Sequence, residues 1–144
     1  MIISPAADAQ LDTPQSTITG KVQIISKRKR AVAPMVIYLE STDPKKKFAS
    51  PVKDIVVSQK GAKFSPSMIV VAQGQSIRYT NDEQRNIEHN VFSRSPSKSF
   101  DLGLYPPGEY KSVKFKRPGE IRLFCSIHRY MDGVIYVCPT PYFA

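Results

Sequence analysis

Turn-forming residues interrupt this chain too often for long helices. Proline occurs 12 times and glycine 7 times in 144 residues. Between them the uncharged apolar runs stay as short as Met68-Ile69-Val70-Val71-Ala72. No segment keeps an apolar period of about 3.6 residues over three turns. Turn signals return about every eight to twelve residues, the spacing of an antiparallel sandwich or barrel of short strands. A membrane helix needs about 20 apolar residues in a row, and no run approaches that.

β-branched residues alternate over 17–25, and the pattern resumes over 35–40 after the basic run Lys27-Arg28-Lys29-Arg30. Two strands joined by a basic loop is the economical reading. Ser41-Thr42-Asp43-Pro44 reads as a turn leading into the exposed Lys45-Lys46-Lys47. Strands are predicted at 55–58, 67–71, 76–80, 100–104, 110–116, 121–125 and 133–138, with a β-run over 87–92 and a loop over 93–99. Residues 1–16 read as a flexible tail, and 17–144 as one domain, with a β extension over 17–53 and a core over 54–138. The first ten residues lack the charged start and apolar core of a secretion signal, and read as the start of a mature chain whose signal has been removed.

Common enzyme signatures are missing. The sequence holds no P-loop, no HExxH and no GxSxG. Asp101, Glu109 and Glu120 do not form an evident acid–base pair. What remains to explain is two cysteines and two histidines. Two cysteines cannot build a disulfide scaffold, and paired zinc-ribbon spacings are absent. A Cys125–Cys138 bridge is also poorly placed. If the last two strands form a hairpin, Cys138 lies about 16 Å along from the partner of Cys125, whereas a disulfide needs Cα atoms within about 7 Å.

Cys125-Ser126-Ile127-His128-Arg129-Tyr130-Met131 puts a thiol, an imidazole and a thioether on one loop between strands. His89 is the other histidine. Two imidazole nitrogens, one thiolate and a weak thioether are the donor set of a trigonal copper site for electron transfer. Soft sulfur stabilises Cu(I), and imidazole suits both oxidation states. Met131 has a second reading as plain core packing, which would leave the axial position open or filled by a carbonyl or water. Cys138 has no place in this set. It reads as a small buried hydrophobe or a free thiol.

These residues resemble the cupredoxins, the blue copper family that includes plastocyanin, amicyanin and pseudoazurin. The resemblance covers roughly residues 54–138. Asn81-Asp82 followed by His89-Asn90-Val91 is similar to the family's first-ligand segment. Gly119 to His128 is similar to its last-strand signature, and the short gap between His128 and Met131 is the amicyanin form. The resemblance implies a Greek-key β-sandwich of about eight strands holding one Cu(I)/Cu(II) ion. It implies His89, Cys125 and His128 as equatorial ligands and Met131 as the axial one. Asn90 would pin the two ligand segments together through Ser126. The His128 ring edge would be the electron exit, inside an apolar rim drawn from Tyr130, Leu104, Tyr105 and Pro106.

The expected function is one-electron carriage between larger redox proteins outside the cytoplasm, without catalysis. Copper delivery through the same residues and a metal-free structural sandwich are the alternatives. The formal net charge of +9 suits redox partners with an acidic docking surface. No aromatic platform accompanies the basic runs, so nucleic acid is not an expected partner. A monomer is expected.

Overall fold

The computed structural model describes residues 19–23 and 34–144, and the chain divides into two compact units, Met1–Ala33 and Pro34–Ala144. The tail over 1–16 and the basic run at 27–30 lie outside the described residues. Of the strand expected over 17–25, residues 19–23 are described and carry no strand.

The second unit holds nine strands and, among the described residues, no helix. They are β1 (Ile55–Gln59), β2 (Phe64–Ser65), β3 (Met68–Ala72), β4 (Ser76–Asn81), β5 (Phe92–Ser95), β6 (Lys98–Asp101), β7 (Tyr110–Lys114), β8 (Gly119–Phe124) and β9 (Asp132–Cys138). One sheet runs β2-β1-β4-β7 and the other β3-β9-β8-β5-β6. The all-β sandwich expected from the sequence is therefore present. Its sheets are mixed rather than purely antiparallel, because β1 pairs with β4 and β3 with β9 in parallel. A period-two pattern shows which face is buried and says nothing of the neighbour's direction, so the sequence could not reveal this.

The core follows the alternation. In β8, Ile121 and Leu123 point inward while Glu120 and Arg122 face solvent. In β4, Ile77, Tyr79 and Asn81 are buried. With Val57, Val71, Phe115, Ile135 and Val137 they form one continuous apolar cluster between the sheets. Gly133 must be small: a Cβ there would stand 3.1 Å from the Ser67 carbonyl and 3.3 Å from the Phe64 ring. That approach lets Val134 N donate to Ser67 O and seats β9 against β3 just beyond Met131.

Three local expectations fail. Residues 93–99 are not a loop, since β5 and β6 form a tight hairpin with Ser95 opposite Lys98. Polar Ser and Arg hid it, because this edge hairpin is only half-buried. The β-run over 87–92 reduces to one isolated bridge, His89 with Tyr105, followed by the start of β5. The strand expected over 35–40 is also a single bridge, Tyr38 with Phe143. Ile37 N donates to Ala144 O, Ala144 N to Ile37 O and Leu39 N to Tyr142 O, so this segment straps the C-terminal residues to the sandwich. The turn at 41–45 is as expected, closed by the Asp43 carboxylate accepting from Lys45 N, with Lys45, Lys46 and Lys47 exposed after it.

Candidate metal centre

Three side chains from two separate stretches of sequence meet at one end of the sandwich. β8 delivers Cys125. Its inward alternation, Ile121 then Leu123, continues one step past the strand to the sulfur. The loop that follows is closed by its own backbone, as Met131 N donates to His128 O and Cys125 N to Met131 O. These bonds turn the chain so that His128 comes back over Cys125. Met131 enters the core, almost wholly buried.

His89 arrives from a longer path. Asn81, the last inward residue of β4, is fully buried and spends its side chain on loop backbone. Its Nδ2 donates to Ile87 O at 2.9 Å and Tyr105 O at 3.0 Å, and its Oδ1 accepts from Glu83 N at 3.2 Å. Burying an amide is costly unless its donors and acceptors are met, and here they are. The His89–Tyr105 bridge then fixes the backbone of the histidine through two hydrogen bonds.

His89 Nδ1 lies 3.9 Å from Cys125 Sγ, and His128 Nδ1 lies 3.7 Å from it. The three potential donor atoms all fall within 4.8 Å of one another. A first-row metal binds imidazole nitrogen at about 2.0 Å and thiolate sulfur at about 2.3 Å. Three such bonds at about 120° put nitrogen and sulfur about 3.7 Å apart. Both nitrogen–sulfur distances are therefore spaced for binding one ion, and the nitrogen, nitrogen and sulfur chemistry of the set suits copper.

The Nε2 of His89 faces the Glu83 carboxylate at 3.0 Å. A carboxylate only accepts, so Nε2 is the donor in this contact, and the ring turns Nδ1 toward Cys125. The His89 N–H, aided by the amides of Ala62 and Gly61, holds the Glu83 carboxyl below the usual glutamate range against its partial burial. In the sequence Glu83 is one of a run of polar residues, Asn81-Asp82-Glu83-Gln84-Arg85-Asn86. Nothing in the local pattern separates it from Asp82, Gln84 or Arg85.

Asn90 ties the His89 and Cys125 segments together. Its Oδ1 accepts from Ser126 N at 2.7 Å and from Ser126 Oγ at 2.9 Å. Its Nδ2 donates to Asp101 Oδ1 at 3.2 Å, which fixes the orientation of the amide. Behind it, Gln59 Nε2 donates to Asn90 O, and the Tyr105 hydroxyl donates to Gln59 Oε1.

That last bond corrects one expectation. Tyr105 is only 1% exposed and belongs to the core, not to a surface rim. The chain alternates as it crosses the end of the sandwich, sending Leu104 out and Tyr105 in, and burial pushes the phenol's pKa up. Leu104 is 47% exposed and Tyr130 95%, with Pro106 half-buried. His128 is half-buried and borders a surface cleft of about 370 Å³ shared with Lys60, Arg85 and Ile87. Cys138 is a fully buried free thiol at the end of β9, and Cys125 is likewise unbridged. Burial raises the Cys138 pKa and keeps it a neutral apolar group.

Comparison with known proteins agrees with this arrangement. Copper binding proteins of the plastocyanin/azurin family match residues 52–138. No curated protein matches the chain closely in sequence. Among solved structures, a purple cupredoxin from Nitrosopumilus maritimus superposes with a TM-score of 0.53 at 22% identity, over 59% of this chain and all of that one. A reduced Cu(I) form of amicyanin gives 0.53 at 19% identity, over 59% of this chain and 82% of that one. A copper-containing nitrite reductase from Thermus scotoductus SA-01 gives 0.57 at 23% identity over 69% of this chain, which spans only 25% of the reductase. At these identities the likenesses speak for the fold, and the family match speaks for the metal. The chain belongs to the plastocyanin/azurin family of copper binding proteins, the cupredoxins, whose members are mostly electron carriers.

Proposed function

We propose that this protein is a type 1 copper protein that carries one electron at a time between larger redox proteins. His89, Cys125 and His128 are its equatorial ligands, and Met131 is the axial one. The observation that carries the reading is the near-equal 3.7 and 3.9 Å spacing of the two Nδ1 atoms from a buried thiol. Copper supplies the redox couple, and the protein supplies a site that changes little between the two charges.

The surrounding residues suit that task. His89 is fully buried and Cys125 nearly so, which keeps water from the ligands. Asn90, Glu83, Tyr105 and the closed 125–131 loop each fix a ligand before any ion arrives. A ligand set held in this way reorganises little, and second-shell bonds of this kind orient and tune a metal site.

His128 is the electron exit, because it alone of the three close-set ligands is half-buried while the other two belong to the buried interior. Ile127 and Tyr130, exposed on the same loop, and Leu104 beside the His89–Tyr105 bridge form the apolar contact area. Lys60 and Arg85 at the neighbouring cleft, with the net charge of +9, favour a partner with an acidic docking surface. The protein acts outside the cytoplasm, as a carrier and not as an enzyme. The chain spans a quarter of the nitrite reductase it resembles.

Cys125→Ser is the decisive test. Copper-loaded, oxidised protein has an intense thiolate-to-copper charge-transfer band in the visible, and the variant loses it completely. An unchanged band in Cys125→Ser rules this reading out. Electron self-exchange that is slow beside copper release to a chelator would favour delivery over carriage.

A further inference from the structure

Glu83 stands in an unusual position for a surface-loop acid. Its side chain is only 10% exposed, and its carboxylate lies 3.0 Å from His89 Nε2. The same oxygen accepts from Ala62 N at 3.3 Å. Ala62 belongs to the turn between β1 and β2, closed by Lys60 N donating to Lys63 O. Gly61 (φ 62°) and Ala62 (φ 54°) are its two central residues, both in the left-handed region. A two-residue hairpin with both central φ angles positive prefers Asn or Gly. An alanine adopts that backbone reluctantly. The turn nevertheless directs the Ala62 amide at Glu83. Asn81 Oδ1 adds a third constraint by accepting from Glu83 N. The acid is thus held from β4, from the β1–β2 turn and by the histidine itself.

We propose that Glu83 is a positioning residue for the copper centre: it locks His89 as the Nε2–H tautomer with Nδ1 toward Cys125, and its charge favours Cu(II) over Cu(I). This inference rests on the copper reading of the site. The reasoning is electrostatic. A carboxylate hydrogen-bonded to a metal-ligating imidazole raises the basicity of the ligand nitrogen. A fixed negative charge near the ion interacts more strongly with the dication than with the monocation, and a largely buried charge is screened little by salt.

Two variants and two readouts test it. Glu83→Gln keeps an oxygen acceptor of the same shape and removes the charge. Asp82→Asn removes the same charge from the neighbouring residue, whose carboxylate accepts from the Thr80 hydroxyl and not from a ligand. At a fixed ambient potential, Glu83→Gln lowers the Cu(II)-to-Cu(I) ratio at least tenfold, a rise in reduction potential of about 59 mV for one electron. Asp82→Asn changes the ratio less than threefold. A change under threefold in Glu83→Gln, or an equal change in both variants, overturns the charge effect.

Nitrogen NMR of metal-free protein at a pH where histidine is neutral reads the positioning part without copper. His89 is the Nε2–H tautomer in wild type and in Glu83→Gln, and a mixture in Glu83→Ala. A pure Nε2–H signal in Glu83→Ala overturns the positioning role. If wild-type protein shows no charge-transfer band, the copper reading fails and takes the redox effect with it, while the tautomer result still decides whether Glu83 positions His89.

Discussion

Cys125, His128 and Met131 lie on one loop, whereas His89 stands 36 residues before Cys125. The loop holds itself: two backbone hydrogen bonds among its own residues close it at the end of β8. His89 has no such local support. Its position depends on Asn81, Glu83 and Tyr105, from the end of β4 and from the crossing that follows β6. One part of the site is encoded by short-range geometry and the other by tertiary bonds. The second should therefore be the easier to disturb without touching His89, Cys125 or His128.

Asn81→Ala should show the largest effect. It removes three hydrogen bonds and leaves the buried Tyr105 carbonyl short of one donor. An uncompensated buried polar group costs about 1–3 kcal/mol, so a loss near the top of that range is expected in denaturant unfolding. Hydrogen exchange sharpens the contrast. The amides of His89 and Tyr105 should lose protection, while those of Cys125 and Met131 keep theirs. Equal loss at all four would mean that the two parts of the site are one cooperative unit.

The tie between them comes next. Asn90→Ala removes both bonds to Ser126 and should cost about 1–2 kcal/mol. Ser126→Ala removes only the hydroxyl bond and should cost less. If the pair acts through this contact, adding Ser126→Ala to Asn90→Ala costs almost nothing more. Additive losses in the double variant would show that Asn90 stabilises the fold by another route.

The same contrast explains what the sequence made legible. A cysteine and a histidine three residues apart on a strand-end loop are visible as spacing, and the alternation of Ile121 and Leu123 already points the sulfur inward. The sandwich is likewise visible in short alternating runs. Glu83 was not, because its role depends on a turn more than 20 residues upstream. Tyr105 was misplaced for a related reason. The resemblance offered it as part of the apolar rim around His128, and only the bridge to His89 and the bond to Gln59 make it core. The parallel pairings and the half-buried β5–β6 hairpin escaped because neither pairing direction nor edge position leaves a mark in a period-two pattern.

The smallest predicted effect tests how firmly Asn90 is oriented. Asp101 Oδ1 accepts from Gly103 N at 3.0 Å and from Asn90 Nδ2 at 3.2 Å. The Gly103 amide foremost, then Asn90, Arg94 and Lys111, hold the Asp101 carboxyl below its ordinary range, against a partial burial that works the other way. A folded-state pKa below the unfolded value of about 3.9 means that folding favours the ionised form. Its stabilisation is therefore complete above that value and disappears as pH falls through the lower, folded one. Asp101 is 45% exposed and its contact with Arg94 is long, so solvent screening keeps the contribution under about 1 kcal/mol. Unfolding of metal-free wild type and Asp101→Asn, compared from neutral pH down into the acid range, isolates the term from every other titrating group. Wild type should be the more stable at neutral pH, and the gap should close as the solution becomes more acidic than the unfolded carboxyl. A gap that stays constant over that range would mean that Asp101 holds Asn90 by shape alone and that its charge contributes nothing.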